Sequence, residues 1–105
     1  MNKSKNGRFD DKSLQNTLYI HKNNGHSIMV LKNGERKLLK SSLSRLEKIL
    51  PADQFYRIHR CYLVNTGEIS AFRHFRDQYL AIIQDHRIPV SRRMRKKILD
   101  NLDTL

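Results

Sequence analysis

The sequence FYRIHRCYLVN at residues 55–65 is the most informative stretch of this 105-residue chain. Side chains alternate between the two faces of a strand, so Phe55 and Ile58 would point to opposite sides. Neither face is cleanly apolar, and we therefore expect a short strand that runs into a loop. Three basic side chains interrupt the apolar ones, with no carboxylate among them: Arg57, His59 and Arg60. Such a cluster at a strand end is suited to contact phosphates and base edges.

A second basic run lies at residues 87–97, with six Lys or Arg and no acid in the sequence RIPVSRRMRKK. Pro89 restricts the first part to an edge strand, and Ser91 is a good N-cap for a helix that follows. A helix N-terminus favours acidic residues, so Arg92 and Arg93 are unfavourable there. The run is either a solvated helix face or an anion-binding site, and the broken local rule favours the second interpretation.

Composition predicts one domain with a modest core and a polyanionic partner. The chain is 38% hydrophobic and 30% charged, with a mean hydropathy of -0.69. A net charge of +11 and a pI near 10.2 point to DNA, RNA or an anionic membrane surface. Cys61 is the single cysteine, which excludes an intrachain disulfide and is more typical of a packed small residue than of a nucleophile. The sequence contains no membrane-spanning run and no signal peptide, so we expect a cytoplasmic protein.

The pattern along the chain predicts a mainly β fold with small antiparallel sheets. Residues 1–16 are polar and predict a frayed arm or a weak edge strand. Strands are expected at residues 18–20, 27–32, 35–40, 69–75, 79–84 and 88–90. Asn23-Asn24-Gly25 and Thr66-Gly67 predict turns. Asn33-Gly34 predicts a type I′ hairpin turn, which needs positive φ at both central residues.

Two helices are predicted. Leucines at 43, 46 and 50 recur at helical spacing, and Pro51 ends the segment. Ser41 or Ser42 would cap this helix, although Ser44 and Glu47 also fit a capping box, which leaves its start open by one turn. A terminal helix would place four apolar residues on one face: Met94, Ile98, Leu99 and Leu102.

Residues 57–65 closely resemble the R-I-H-R-S-Y-L-V-N signature of the LytTR DNA-binding domain family. Three other segments also match at the expected distances. LYI at residues 18–20 resembles I-L-Y-I, the leucines at 43, 46 and 50 resemble L-x-x-L-x-x-x-L, and residues 88–93 resemble I-P-V-S-R-R. The likeness extends over roughly residues 14–102.

The resemblance implies about ten short strands in three antiparallel sheets, with one internal short helix and a C-terminal helix. It implies an N-terminal arm at residues 1–13 and a DNA-binding domain at residues 14–105. In this family, loops inserted in successive grooves contact the DNA, and there is no recognition helix.

The resemblance also assigns site residues. Base contacts fall on His26, Arg60 and Arg93. The residues themselves point to the two arginines, because arginine is the best bidentate reader of guanine, whereas His26 depends on the resemblance alone. Phosphate contacts or their supports would be Asn23, Asn24, Arg57, His59, Asn65, Ser91, Arg92, Arg95 and Lys96. Two of these have a structural alternative, because His59 and Asn65 can hold the backbone of the signature loop by hydrogen bonds.

The chain departs from the family pattern at several positions. Phe9-Asp10-Asp11-Lys12 stands where the family has an apolar first strand, and His21-Lys22 replaces an acidic Glu-Ala. Cys61 replaces a serine. Family members commonly carry an upstream receiver domain with a phosphorylated aspartate, so we expect either an effector module of a two-component response regulator or a stand-alone regulator.

The function implied is sequence-specific binding of double-stranded DNA by a bacterial transcription regulator, with two copies on paired repeat sites. No catalytic residue, metal, other cofactor or membrane partner is expected. A basic RNA-binding module is the first alternative, but it needs exposed aromatic rings, and the aromatic residues here follow core patterns. A small nuclease is the second, but the carboxylates are scattered and no Cys/His group has zinc spacing.

Overall fold

The computed structural model describes residues 11–103, with side chains described as far as residue 100. Within this range the chain forms eight strands and three α-helices. In chain order these are α1 (Asp11–Gln15), β1 (Thr17–Asn23), β2 (His26–Leu31), β3 (Arg36–Leu39), α2 (Leu43–Ile49), β4 (Phe55–His59), β5 (Tyr62–Asn65), β6 (Ala71–Phe75), β7 (Gln78–Ile83), β8 (His86–Val90) and α3 (Arg92–Asp103). A short 3₁₀ turn, Thr66–Glu68, follows β5.

The first sheet has five antiparallel strands in the order β3-β2-β1-β5-β4. One face packs against α2, whose Leu43 and Leu46 are buried together with Leu50 just beyond the helix. Ser42 caps this helix, because its hydroxyl accepts a hydrogen bond from the Arg45 backbone N–H at 3.2 Å. The leucine spacing therefore predicts the helix and its buried face correctly, and Ser42 is the cap among the candidates.

The second sheet has three antiparallel strands in the order β6-β7-β8. Its inner face joins the opposite face of the first sheet and α3 in a second core that includes Ile58, Val64 and Ala81. Pro89 lies in β8 at an edge, as expected. On α3, Ile98 is buried and Met94 packs on the same core, but Leu99 is 41% exposed, which differs from the predicted apolar face. The side chain of Leu102 lies outside the described ones.

Several sequence expectations differ from the structure. Residues 11–103 form eight strands in two sheets, one of five strands and one of three. The expectation of about ten strands in three sheets is wrong for this range. The expected arm or edge strand at residues 1–16 is helical at Asp11–Gln15, because Leu14 is buried in the core beside α2. Phe9 and Asp10, where the family's first strand would lie, are outside the described residues.

The type I′ turn forms at Asn24-Gly25 and not at Asn33-Gly34, where it was expected. Asn24 and Gly25 have φ of 50° and 92°, the pair of positive values that a type I′ turn requires. In the β2–β3 connection only Gly34 has positive φ, at 91°. The Asn33 side chain there accepts a hydrogen bond from the Glu35 N–H at 2.9 Å, which favours a longer loop. The type I′ prediction for Asn33-Gly34 is therefore wrong.

None of the helices within residues 11–103 combines the length and apolar character needed to cross a bilayer.

Candidate nucleic-acid interface

One end of the first sheet carries two tight turns side by side. β1 and β4 are both antiparallel to β5 and therefore run in the same direction. The β1–β2 turn and the β4–β5 turn consequently lie at the same end. The Lys22 backbone N–H donates to the Cys61 carbonyl at 3.0 Å, which connects the strand leading into one turn with the tip of the other.

The β1–β2 turn presents three of the predicted residues to solvent. Asn23, Asn24 and His26 are all exposed. Asn24 takes the left-handed conformation, which asparagine tolerates better than most residues, and Gly25 supplies the second positive φ. This local chemistry explains why the polar sequence closes a hairpin and leaves the His26 side chain free at the start of β2.

Arg60 occupies the tip of the β4–β5 turn and is exposed, while Arg57 braces the turn from below. The Arg57 guanidinium donates from Nε to the His59 carbonyl at 3.0 Å and from Nη2 to the Arg60 carbonyl. Its Nη1 pairs with the Glu47 carboxylate of α2 at 2.8 Å. The side chain is only 18% exposed. Its donors are directed at protein groups, so the structure places Arg57 as a support of the turn.

His59 closes the same turn from the other side. Its Nδ1 accepts a hydrogen bond from the Cys61 backbone N–H at 3.1 Å, and its ring meets the edge of Tyr62 with centroids 5.6 Å apart. Burial lowers the pKa of His59 below the ordinary 6.5, and the charges of Arg60 and Arg57 lower it further. The imidazole is therefore held neutral as an acceptor, which is the structural alternative for this residue.

The β8–α3 junction brings the third predicted element to the same region. The Ser91 backbone N–H donates to the Ile58 carbonyl of β4 at 2.9 Å, and its hydroxyl accepts from the Met94 N–H at 3.1 Å. Ser91 is therefore the N-cap of α3, as predicted, and it also joins the second sheet to the strand that carries the Arg60 turn.

The first turns of α3 expose positive charge that no carboxylate among the described side chains neutralises. Arg92, Arg93 and Lys96 are exposed, and the first turn of α3 contains no acidic residue. Ion pairs in the described part of the chain are Lys32–Glu68 and Arg57–Glu47, so these three cations have no carboxylate partner there. They are available to an external polyanion.

Arg95 differs from its basic neighbours because it is half-buried against the second sheet. Its guanidinium carbon lies 4.8 Å from the centroid of the Tyr79 ring, and its Nη2 lies 2.8 Å from Nε2 of His74. These contacts fix α3 on the sheet by cation–π stacking and a hydrogen bond. Arg95 therefore supports the helix that carries Arg92 and Arg93.

Asn65 lies away from the turns, at the far end of β5. Its side chain is buried at 4% exposure, where its amide donates to the Thr17 carbonyl at 2.8 Å and its Oδ1 accepts from the Gly67 N–H at 3.3 Å. A buried amide has no surface to offer a phosphate, so a phosphate contact by Asn65 is corrected to a structural role. It holds the start of β1 and the 3₁₀ turn, and not the signature loop.

Sequence reasoning did not identify the side chains that brace the candidate interface. Glu47, His74 and Tyr79 lie 10 to 21 positions away from the arginines they contact, and no spacing pattern in the sequence links them to those arginines. Glu47 fits a capping box with Ser44 in the sequence, but Ser42 caps α2 and the Glu47 carboxylate pairs with Arg57 instead.

Comparison of the chain with known proteins identifies its family. Residues 13–103 match the LytTr DNA-binding domain, and the chain belongs to this family. The fold is similar to a solved structure, the LytTr DNA-binding domain of a Bacillus cereus protein described as a methyl-accepting/DNA response regulator. That likeness has a TM-score of 0.75 at 24% sequence identity and covers 85% of this chain and 83% of the other. No curated protein matches the chain.

Within the described residues, no group of three or more His, Cys, Asp or Glu side chains is arranged to hold a metal ion.

Proposed function

We propose that this chain binds double-stranded DNA in a sequence-specific manner as the effector domain of a bacterial transcription regulator. The observation that carries the proposal is the gathering of three basic elements at one end of the fold. The β1–β2 turn, the β4–β5 turn and the start of α3 are tied together by two backbone hydrogen bonds, Lys22 to Cys61 and Ser91 to Ile58. A rigid set of exposed elements can contact successive grooves without an inserted helix.

In this proposal the exposed tips contact bases. Arg60 and Arg93 are exposed, carry no carboxylate partner in the described chain and have the planar fork that pairs with guanine O6 and N7. His26 is the third base contact, from the β1–β2 turn. Phosphates would be contacted by the exposed polar and basic neighbours of these tips: Asn23, Asn24, Arg92 and Lys96.

The remaining predicted residues act indirectly, and all of them except Asn65 hold the tips in position. Arg57 and His59 shape the Arg60 turn, Ser91 and Arg95 fix the start of α3, and Asn65 stabilises the fold at a distance. This division separates residues whose substitution changes DNA contacts from those whose substitution changes geometry or stability.

The proposal includes two copies of the domain on a pair of repeated sites and an input from a receiver domain or sensor kinase pathway. A single domain with three short contact elements covers a short stretch of duplex. Two adjacent sites bound by two copies would distinguish the operator from the many non-specific sites of a genome. The domain boundary proposed is residue 14, close to the start of the family match at residue 13.

Fluorescence anisotropy tests the proposal directly. A labelled duplex from the promoter of the chain's own operon is compared with a scrambled duplex of the same composition over a salt series. The expected result is a preference for the promoter that persists as salt rises, on a slope of about −0.9 in log affinity per phosphate contacted. Equal affinity for both duplexes at every salt concentration would contradict sequence-specific binding. A single-stranded RNA competitor that displaces the domain better than duplex DNA would indicate an RNA-binding module instead.

A further inference from the structure

The β6–β7 turn exposes an aromatic ring and a cation that none of the three contact elements includes. Phe75 is 58% exposed, although the sequence pattern assigns the aromatic residues to the core. Arg76 follows in the left-handed conformation with φ of 59°, which is uncommon for a residue with a long side chain. Its guanidinium carbon lies 5.4 Å from the centroid of the Phe75 ring. The turn therefore presents a stacked aromatic and cation to solvent.

The position of this turn connects it with the candidate interface. β6 and β8 are both antiparallel to β7, so the β6–β7 turn lies at the same end of the sheet as the β8–α3 junction. Tyr79 of β7 is paired with His74 on one side and Val90 on the other. Strands are spaced at about 4.8 Å, which puts the turn roughly 10 Å from Ser91, at the sheet edge opposite β8.

The turn and the start of α3 are also coupled through side chains. Arg95 of α3 lies against Tyr79 and hydrogen-bonds His74, the residue immediately before Phe75. The helix that carries Arg93 and the strand that carries Phe75 are therefore fixed relative to each other. A duplex that contacts Arg93 would meet the neighbouring turn in a defined position.

The charge around the turn suits a polyanion. Arg73 and Arg76 are exposed, and Arg92 and Arg93 lie across the sheet end. Asp77 is the one acid in the turn. Arg76 is absent from the two ion pairs formed within the described residues. The Arg76 charge is therefore free for a phosphate.

We infer that Phe75 and Arg76 form a fourth DNA contact, on the sugar-phosphate backbone that flanks the base-contacting part of the site. Arg76 pairs with a phosphate, and the ring of Phe75 packs against the adjacent sugar. At a rise of 3.4 Å per base pair, a displacement of roughly 10 Å corresponds to about three base pairs beyond the contact made at the start of α3. The inference depends on the proposed function, because it extends the same bound duplex.

Flank length gives a specific test. Anisotropy is measured with the promoter duplex at full length and with duplexes shortened by six base pairs on one side or the other. The wild-type domain should lose about two- to fivefold in affinity when one particular flank is removed, the loss expected for an exposed ion pair. Arg76→Gly and Phe75→Ala should weaken binding to the long duplex by a similar factor and be insensitive to removal of that flank. Glycine is chosen at position 76 because it accepts the positive φ without strain.

Lys37→Ala is the charge-matched control. Lys37 is exposed on β3 and lines a surface depression with Lys12 and Asn33, away from the turns. The DNA affinity of Lys37→Ala should fall on flank removal by the same factor as that of the wild type. The salt slope of Arg76→Gly should be shallower by about 0.9 on the long duplex and unchanged on the short one.

Two outcomes would overturn the fourth contact. One is that Arg76→Gly and Phe75→Ala bind the long duplex like the wild type. The other is that both variants are weakened equally on long and short duplexes, which would indicate a disturbed fold. Neither outcome resembles failure of the proposed function, in which the wild-type domain does not distinguish the promoter from scrambled DNA. Thermal unfolding of each variant checks that the fold is retained.

Discussion

The backbone N–H of Ser91 donates a hydrogen bond to the carbonyl of Ile58 at 2.9 Å. Ile58 lies two residues before Arg60, and Ser91 lies two residues before Arg93. This one bond therefore joins the two sheets at the point where each delivers an arginine to solvent. Because backbone atoms form the link, it fixes the separation of the two chain segments from which Arg60 and Arg93 project, which favours recognition of a fixed spacing along the DNA.

Ser91→Ala should lower the free energy of unfolding by about 1 kcal/mol, because the Met94 N–H loses its capping hydroxyl. The link to Ile58 persists, since it uses the backbone. Urea denaturation measures the change, and DNA affinity should fall modestly as the first turn of α3 loosens. Ser44→Ala is the control, because Ser44 is exposed within α2 and does not cap it. Equal stability of the two variants would show that the hydroxyl does not hold the helix.

Arg57→Ala should weaken DNA binding although its guanidinium is directed at protein groups. The substitution removes hydrogen bonds to the carbonyls of His59 and Arg60 and the ion pair with Glu47. It should lower the free energy of unfolding by about 1–3 kcal/mol, as expected for hydrogen bonds from a charged donor. The salt slope of DNA binding should stay close to the wild-type value, because no phosphate contact is lost.

Arg57→Lys separates this bracing role from a charge effect. Lysine keeps the positive charge but lacks the fork that reaches two carbonyls and a carboxylate together. It should therefore bind DNA nearly as poorly as Arg57→Ala. Full recovery of affinity with lysine would instead indicate a direct contact between residue 57 and a phosphate.

The sequence predicts most of the features that depend on local chemistry, although the type I′ turn expected at Asn33-Gly34 does not form. The leucine spacing of α2, the cap at Ser91 and the turn at Asn24 depend on neighbours within a few residues, and each is found as expected. The helix at Asp11–Gln15 depends instead on burial of Leu14 against distant elements, and polar composition alone predicted an arm or a strand.

The candidate site divides in the same way. Exposed arginines at a strand end and at a helix start could be identified from the sequence. The partners of the supporting arginines could not, because Arg57 contacts α2 and Arg95 contacts the β6–β7 hairpin, and such contacts become visible only when the chain is folded. Phe72 and Phe75 lie on opposite faces of β6, and only the packing of the folded sheet decides that Phe72 contacts the core and Phe75 is exposed.

Stability should fall as the pH drops below about 6.5 because of His59. Burial, with Arg60 and Arg57 beside it, lowers the pKa of His59 in the folded state. The unfolded chain takes up its proton near 6.5, so between that value and the lower folded pKa it binds more protons than the folded chain. The contribution of neutral His59 to the free energy of unfolding is complete above pH 6.5 and is lost as the pH falls through this window. The structural reason is that a proton on Nδ1 would displace the Cys61 N–H.

His59→Asn tests this assignment, because an amide oxygen accepts the Cys61 N–H without titrating. Urea midpoints of both proteins are compared between about pH 8 and pH 5. The wild type should lose more stability than the variant over this range. Parallel curves would show that His59 does not control this pH dependence.

Asn65→Ala should destabilise the fold without changing the DNA contacts. Its removal leaves the carbonyl of the buried Thr17 without the amide that donates to it, at a cost of about 1–3 kcal/mol. The N–H of the exposed Gly67 also loses its acceptor but can bond to water. DNA affinity, measured where the variant is fully folded, should equal that of the wild type. A reduced salt slope for this variant would instead restore Asn65 as a phosphate contact.

Arg60→Ala and Arg93→Ala should each weaken binding to the promoter duplex by about 1–3 kcal/mol, because each loses a bidentate contact with a base. Both side chains are exposed, so thermal unfolding should be unchanged. Lys96→Ala is the comparison, because an exposed lysine on a phosphate should weaken promoter and scrambled duplexes alike and flatten the salt slope. Anisotropy with both duplexes separates base contacts from phosphate contacts. Loss of a base contact reduces the difference in affinity between the promoter and the scrambled duplex, whereas loss of a phosphate contact leaves that difference unchanged. Unchanged affinity for both arginine variants would exclude these tips as the base-contacting elements of the domain.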